Sequence, residues 1–162
     1  FAGEVNLIRN HLALKKRKLY IWGDRLIDGH ATKVGEWEGS YNNTQDAVNL
    51  IAKDVMICDW HYDKAEPMPA YFASKGLSVI TCTWRTPDVA TAQVKDMVQY
   101  RKAAKPATKK LYQGMMMTVW TGTEPFLDEY YALKDSTAGT EKTQANTFKS
   151  MTATIDSIGG TR

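Results

Sequence analysis

The chain has 162 residues, a formal net charge of +3 and a hydrophobic fraction of 43%. This length predicts a single domain over 1–162, with enough chain to bury a core. The small net charge accompanies no nucleic-acid-binding motif, and no apolar run reaches the length of about 18 residues that a membrane helix needs. We therefore predict no nucleic-acid partner and no membrane span.

Helices and short apolar runs alternate from the first residues onward. The pattern predicts a helix over 4–17, a first strand over 19–22, and then a glycine-rich loop without helix or strand over 23–43. Thr44 is a plausible N-cap for a short helix that ends at Ala52. The first helical pattern begins without a preceding Met, so we expect the chain to start inside a domain.

The rest of the chain repeats the order strand, loop, helix. A second strand is predicted over 55–60, and Gly76 is a suitable C′ residue for the helix that follows it. A third strand over 77–84 precedes a helix that opens at Thr86-Pro87. The remaining predicted elements are a strand over 115–120, a short helix over 126–133, a polar linker over 136–140 and a last helix over 141–158.

Short apolar runs between helices are typical of buried parallel strands, and right-handed crossovers between such strands give a parallel sheet. The sequence therefore predicts an α/β fold of parallel strands with alternating helices. Four such units are half of a TIM (β/α)8 barrel, and the alternative is a small open flavodoxin-like sheet. The open strand edges of a half barrel are expected to lead to self-association or to contact with the missing half.

Each predicted strand ends in tryptophan, and polar or charged residues follow at once. Because α/β folds bind ligands at the carboxyl ends of their strands, these rings and their neighbours predict a substrate-binding rim. Aromatic rings with carboxylates between them suit a sugar, which has apolar faces and a hydroxyl edge. The candidate substrate-binding residues are Trp22, Asp24, Arg25, Asp59, Trp60, His61, Tyr62, Trp84, Arg85 and Trp120.

Several of these residues also have a purely structural interpretation. The tryptophan rings can pack at a barrel mouth or under helices, Asp24 can pair with Arg25 or cap the loop, and His61 can lie in a mobile loop. Cys58 and Cys82 are expected to be buried free thiols. No H-x-H or H-E-x-x-H motif is present, so we predict no metal site and no cofactor.

The phase of the second strand stays open at the level of sequence. In one phase Met56, Cys58 and Trp60 share the ligand side and Asp59 points to the other face. In the reversed phase Asp59 and His61 face the ligand side. A buried Asp59 on the helix side would need a partner, because an isolated buried charge is costly.

These strand ends resemble the C-terminal half of the catalytic barrel of glycoside hydrolase family 20, the β-N-acetylhexosaminidase-like proteins. Residues 20–26 (YIWGDRL) are similar to the family's fifth strand, and 54–60 (DVMICDW) to its sixth. Residues 71–80 (YFASKGLSVI) look like its helix, glycine and seventh strand, and 113–120 (QGMMMTVW) look like its eighth strand. The resemblance covers about 4–125 and extends to uncharacterised bacterial members of the family.

The resemblance implies a retaining hydrolysis in which the substrate's acetamido group attacks, a Glu protonates the leaving oxygen and an adjacent Asp holds the acetamide. The family carries this pair at the end of its fourth strand. Here the only adjacent pair in that order is Asp128-Glu129, beyond the last predicted strand. The catalytic acid is therefore expected upstream, with no catalytic residue in this chain, which would be inactive alone.

The parent protein implied by the resemblance is a glycosidase of carbohydrate metabolism that acts on an oligosaccharide or glycoside, usually from a secreted or periplasmic location. Two positions depart from the family pattern. Gly122 stands where a Glu often binds sugar hydroxyls, and Thr83-Trp84-Arg85 replaces a Tyr and an Asp. These departures keep two alternatives open, namely a non-catalytic carbohydrate-binding barrel and a self-contained α/β domain with a structural or interaction role.

Overall fold

The computed structural model describes residues 1–133, 136–137 and 139–159. The strands are β1 (Tyr20–Trp22), β2 (Met56–Trp60), β3 (Ser78–Thr83) and β4 (Tyr112–Met117). The α-helices are α1 (Ala2–Leu14), α2 (Gly29–Thr32), α3 (Met68–Ser74), α4 (Pro87–Ala103), α5 (Pro106–Lys109), α6 (Thr123–Ala132) and α7 (Gln144–Gly159).

The four strands form one all-parallel sheet in the order β1-β2-β3-β4, and helices alternate with the strands along the chain. The predicted α/β class with parallel strands is therefore confirmed. None of the described helices is long and apolar enough to cross a bilayer.

The segment 23–43 contains helical turns, so its prediction as a loop without helix is wrong. A 3₁₀ turn spans Asp24–Leu26, and α2 begins at Gly29. The Asp28 carboxylate accepts the Ala31 N–H at 3.0 Å and thereby caps α2. A capping carboxylate of this kind stabilises a single turn inside a segment whose glycines otherwise indicate a loop.

Thr44 is the N-cap residue of the helix that follows it, as predicted, but its side chain makes no capping hydrogen bond. Its hydroxyl donates to the carbonyl oxygen of Arg25 at 2.8 Å, and the helix predicted to reach Ala52 is a 3₁₀ helix over Gln45–Asn49. The Thr44 hydroxyl thus ties the helix start to the carbonyl oxygen of Arg25. Gly76, in contrast, follows α3 with a φ of 76°, the left-handed conformation expected of a glycine after a helix.

Strand β4 begins three residues before its predicted start and ends at Met117. Its pairing includes the polar and exposed Gln113, which the apolar run does not indicate. After the strand, the N–H and the hydroxyl of Thr118 both donate to the carbonyl oxygen of Thr83, at 2.9 and 2.7 Å. Trp120 therefore lies beyond β4 rather than at its last position.

The chain forms two compact units, which we describe separately. The first comprises Phe1–Trp60, Pro67–Ile80 and Ala104–Gln113, and the second comprises His61–Glu66, Thr81–Ala103 and the described residues from Gly114 onward. The single domain over 1–162 stays a prediction. Residue 138 of the predicted linker and residues 160–162 of the predicted domain lie outside the described residues.

In the first unit, the register of β1 and β2 shows which side chains of the two strands share a face. Trp22 pairs with Cys58, and paired residues of adjacent parallel strands point to the same face. Trp60 lies two residues after Cys58 and shares this face, whereas Ile57 and Asp59 point to the opposite face. Which of these two faces is the ligand side stays a prediction.

Strand β1 exposes two large aromatic side chains on the face that it shares with Trp60. Tyr20 is 53% exposed and Trp22 is 40% exposed. The strand carries no charged residue, and it stands at one end of the sheet order. Apolar surface on such a strand supports the expected self-association or contact with a missing half, which stays a prediction.

The second unit is held together by the packing of α4 against α7. Small and flexible apolar side chains fill the contact, and β4 closes it from one side. The buried residues are Ala90, Val94 and Met151, and Met115, Met117 and Phe148 pack against them.

Gly23 allows the chain to pass close to the core of the first unit. A Cβ atom at this position would lie 2.8 Å from the Phe72 ring and 2.9 Å from the Ile57 side chain, both of which are fully buried. The φ of Gly23 is −81°, which any residue adopts, so only the close approach requires glycine. We expect Gly23→Ala to lower the free energy of unfolding by about 1–3 kcal/mol, because the core must repack.

Equilibrium urea denaturation followed by circular dichroism measures this change. Gly3→Ala is the matched control, since its new methyl group meets no described atom within 4 Å and lies in α1. The control is expected to raise the free energy of unfolding by up to about 1 kcal/mol. Equal effects of the two substitutions would contradict the packing argument.

Candidate functional site

In the first unit, Trp60 at the end of β2 is held through its indole N–H. Trp60 Nε1 donates to Asp24 Oδ1 at 3.1 Å, and Asp24 Oδ2 accepts from Arg25 Nε at 2.5 Å. Both carboxylate oxygens therefore have protein partners. Asp24 pairs with Arg25, as its structural interpretation anticipated, and it also orients the Trp60 ring.

Arg25 also holds a loop that carries a tryptophan absent from the predicted rim. Its Nη2 donates to the carbonyl oxygens of Trp37 at 3.2 Å and Glu36 at 3.4 Å. The Trp37 side chain is 80% exposed. No sequence signal singled out this ring, because it lies between Gly35 and Gly39 and not after a strand.

In the second unit, Gln144 at the start of α7 joins two of the predicted rim tryptophans. The Gln144 amide oxygen accepts from Trp84 Nε1 at 2.9 Å and from the Trp120 backbone N–H at 3.2 Å. Its amide nitrogen donates to Thr121 Oγ1 at 2.5 Å. The Gln144 side chain is buried. Its amide oxygen is paired with donors and its amide nitrogen with an acceptor.

Tyr62 holds the ring of Trp120. Trp120 Nε1 donates to Tyr62 Oη at 2.9 Å, and Thr118 Oγ1 lies 3.4 Å from the same oxygen. The Thr118 hydroxyl also lies 2.7 Å from the carbonyl oxygen of Thr83, so both oxygens are acceptors within its reach.

Burial raises the pKa of the Tyr62 phenol above its ordinary value, and the hydrogen bonds with Thr118 and Trp120 offset part of this rise. Tyr62 is therefore a neutral phenol at physiological pH. It accepts the Trp120 indole N–H without carrying a charge into the cluster.

Arg85 covers one face of Trp84. Its guanidinium carbon lies 4.2 Å from the centroid of the Trp84 ring, and the Tyr62 ring meets the same indole edge to face with centroids 5.4 Å apart. Trp84 is thus held on its N–H and on its face. Trp120 is 57% exposed and presents ring surface to solvent.

The structure buries two of the predicted contact residues, Asp59 and His61. The carbonyl oxygen of His61 accepts from Gln93 Nε2 at 2.7 Å, which ties this strand end to α4. Asp59 lies on the face of β2 opposite to Trp60. Their contact with a substrate stays a prediction, and neither side chain lies at the surface.

The structure joins two groups of the predicted residues, one in each unit. Asp24, Arg25 and Trp60 are bonded in the first, and Tyr62, Trp84, Arg85 and Trp120 are connected in the second. Three side chains that complete the second group were missed by the sequence interpretation, namely Thr118, Thr121 and Gln144. Gln144 lies 60 residues after Trp84 and opens a helix, so no local pattern connects the two.

No protein-family model matches the chain, and no curated protein matches its sequence. Within the described residues, no three side chains of His, Cys, Asp or Glu are grouped as metal ligands. What the site can do therefore follows from its own geometry. It consists of aromatic rings held by hydrogen bonds at their polar atoms, with one exposed cation stacked on a ring.

We expect Gln144→Leu to lower the free energy of unfolding by about 1–3 kcal/mol, because it leaves the Trp84 indole N–H and the Trp120 backbone N–H without their acceptor. Near-UV circular dichroism should also lose tryptophan signal as the rings become mobile. Urea denaturation gives the energy. Gln99→Leu makes the same chemical change at an exposed position of α4 and should stay within about 0.5 kcal/mol of the wild type. Similar losses in both variants would show that Gln144 does not hold the rings.

We expect the free energy of unfolding to fall at alkaline pH because of three buried or partly buried tyrosines. Burial raises the pKa of Tyr62, Tyr71 and Tyr112 in the folded chain. The unfolded chain therefore releases these protons first, so stability is constant below a pH of about 10 and falls as pH rises through the raised pKa values. Urea denaturation across this range, with tyrosinate absorbance as the second signal, measures the fall. Tyr62→Phe should make it shallower; an unchanged slope would contradict the shift at Tyr62.

Proposed function

We propose that the chain is part of a carbohydrate-active protein and that the Tyr62, Trp84 and Trp120 cluster binds a sugar ring. The observation that carries this proposal is the state of Trp120, whose ring is more than half exposed while its indole N–H and backbone N–H are both bonded. A ring that is already ordered loses little conformational entropy when a ligand stacks on it. Ligand sites combine such aromatic surface with a few fixed polar groups, and this cluster has both.

The order of the strands supports a half barrel as the frame of this site. In a (β/α)8 barrel each strand lies beside the next one in the chain, as in the observed order β1-β2-β3-β4. An open sheet of flavodoxin type instead places its first strand between the second and the third. Ligand-binding residues of barrels lie at the carboxyl ends of the strands, where Trp60 and Trp84 stand.

The role that we propose for this chain is binding of the sugar rather than bond cleavage. Asp128 and Glu129 lie within α6 and not at the end of a strand. In line with the resemblance to glycoside hydrolase family 20, the acid that would cleave the glycosidic bond is expected upstream of this chain. The chain would then supply the aromatic part of the site in a secreted or periplasmic glycosidase.

The non-catalytic carbohydrate-binding barrel is the second candidate function. It is favoured by Arg85, which stands where the family has residues that contact the sugar and which here stacks on Trp84. Both candidates assign the same binding role to the cluster. They differ only in the residues upstream.

Titration with trisaccharides, followed by tryptophan fluorescence and by NMR of the indole N–H groups, tests the binding role. The probes are the trimers of N-acetylglucosamine, glucose and galacturonate. We expect Trp120→Ala to weaken the binding of the trimer that the wild type prefers by about 30-fold, because truncating a central tryptophan costs ~2 kcal/mol in binding sites.

Trp37→Ala removes an even more exposed ring that belongs to the first unit, and it should leave the affinity unchanged. Wild-type chain that binds none of the three trimers would refute the proposed function. An equal loss in Trp37→Ala and Trp120→Ala would show that binding does not centre on Trp120.

A further inference from the structure

We infer that Arg85 gives the site a preference for sugars that carry a carboxylate, such as uronic acid residues. This inference rests on the proposed sugar-binding function and concerns only the class of sugar. It starts from the stacked pair of Arg85 and Trp84, in which the guanidinium carbon lies 4.2 Å from the ring centroid.

A guanidinium that lies flat on an indole uses its face for the contact and leaves its edge available. The N–H groups of arginine lie in the plane of the group, so a guanidinium on an indole face still directs its donors sideways. In the described part of the chain, no hydrogen bond and no ion pair involves the Arg85 side chain, which is exposed. Arg25 differs, because its donors are taken by Asp24 and by two carbonyl oxygens.

The same stack holds the cation in place before a ligand arrives. An exposed arginine ordinarily loses side-chain freedom when it pairs, and this loss cancels much of the gain. Contact with the indole restricts Arg85 in advance, and cation–π attraction favours the contact. The cost of ordering the side chain on binding is therefore reduced.

Gln144 connects this cation to the proposed sugar platform. Its amide oxygen accepts both from Trp84 Nε1, at 2.9 Å, and from the Trp120 backbone N–H, at 3.2 Å. The ring under the guanidinium and the backbone of the residue whose ring would stack on the sugar thus share one buried acceptor. A sugar placed on Trp120 therefore lies in the same bonded cluster as a fixed positive charge.

The chemistry of the donor selects a carboxylate. Two parallel N–H groups of a guanidinium match the two oxygens of a carboxylate, a geometry that an ammonium cannot reproduce. A sulfate ester is another anionic group found on sugars, and it would use the charge of Arg85 as well. The bidentate geometry favours the carboxylate, and a sulfated trisaccharide distinguishes the two groups.

Galacturonate trimer and its methyl ester form the decisive pair of probes, because they share ring and linkage and differ in charge. We expect the wild-type chain to bind the acid about fivefold more tightly than the ester at low ionic strength, with the difference reduced by added salt. Arg85→Gln should weaken only the acid and so remove the preference. Arg85→Lys should keep part of it, since it retains the charge and loses the planar donors.

Lys95→Gln is the control for net charge, since it removes an exposed cation from α4 of the same unit. It should leave the preference for the acid intact. Unfolding midpoints of the Arg85 variants, compared with the wild type, show whether both remain folded. If Arg85→Gln does not fold, Arg85→Lys still tests the inference. This variant keeps the charge and loses the planar donors, so its preference for the acid over the ester should be smaller than that of the wild type.

Equal binding of acid and ester by the wild type, with both lost in Trp120→Ala, would overturn the inference and leave the proposed function standing. A sulfated trimer of N-acetylglucosamine that binds in an Arg85-dependent manner, while the galacturonate acid shows no preference, would also overturn it. Failure of every trimer to bind would refute the proposed function and the inference together.

Discussion

Parallel pairing of each strand with the next constrains the rest of this chain. Two parallel strands cannot be joined by a tight turn, so the chain must return along the sheet before each new strand begins. The first return contains α2 and two 3₁₀ turns, the second contains α3, and the third contains α4 and α5. All strands therefore run in one direction, and residues that follow neighbouring strands start from the same side of the sheet. In a parallel sheet, tryptophans that follow the strands all follow carboxyl ends at one edge. In an antiparallel sheet they would alternate between the two edges.

Indole N–H groups explain how these tryptophans are oriented. An indole has a large apolar body and a single donor, so its orientation is decided by the acceptor that this donor finds. Trp60 finds the Asp24 carboxylate, Trp84 the Gln144 amide and Trp120 the Tyr62 phenol. All three acceptors come from a segment other than that of the ring. The polar residues near the rim thus serve first to hold rings, and Asp24, with both oxygens bonded, illustrates this most directly.

The order of the strands and of the longer helices, and with it the α/β class, could be predicted from the sequence because these depend on local periodicity. The offset of β4 could not, since Gln113 pairs through its backbone and its side chain gives no sign of a strand. The role of Gln144 could not be predicted either, because it accepts a hydrogen bond from Trp84, which lies 60 residues earlier in the chain. Trp37 was missed for a third reason, as its loop is held by carbonyl oxygens that accept from Arg25, and carbonyl oxygens carry no sequence information.

In our proposal, Thr83 of the segment Thr83-Trp84-Arg85 supports the fold, whereas Trp84 and Arg85 determine which sugar is bound. Thr83 accepts two hydrogen bonds from Thr118 through its carbonyl oxygen, a backbone role that many residues fill. The next two positions face no such restriction, and here they carry a ring and a cation that stacks on it. A carboxylate in this place would accept hydrogen bonds from sugar hydroxyls, whereas a guanidinium donates and attracts an anion. One frame can therefore resemble a glycosidase barrel in its strands while its rim favours a different sugar.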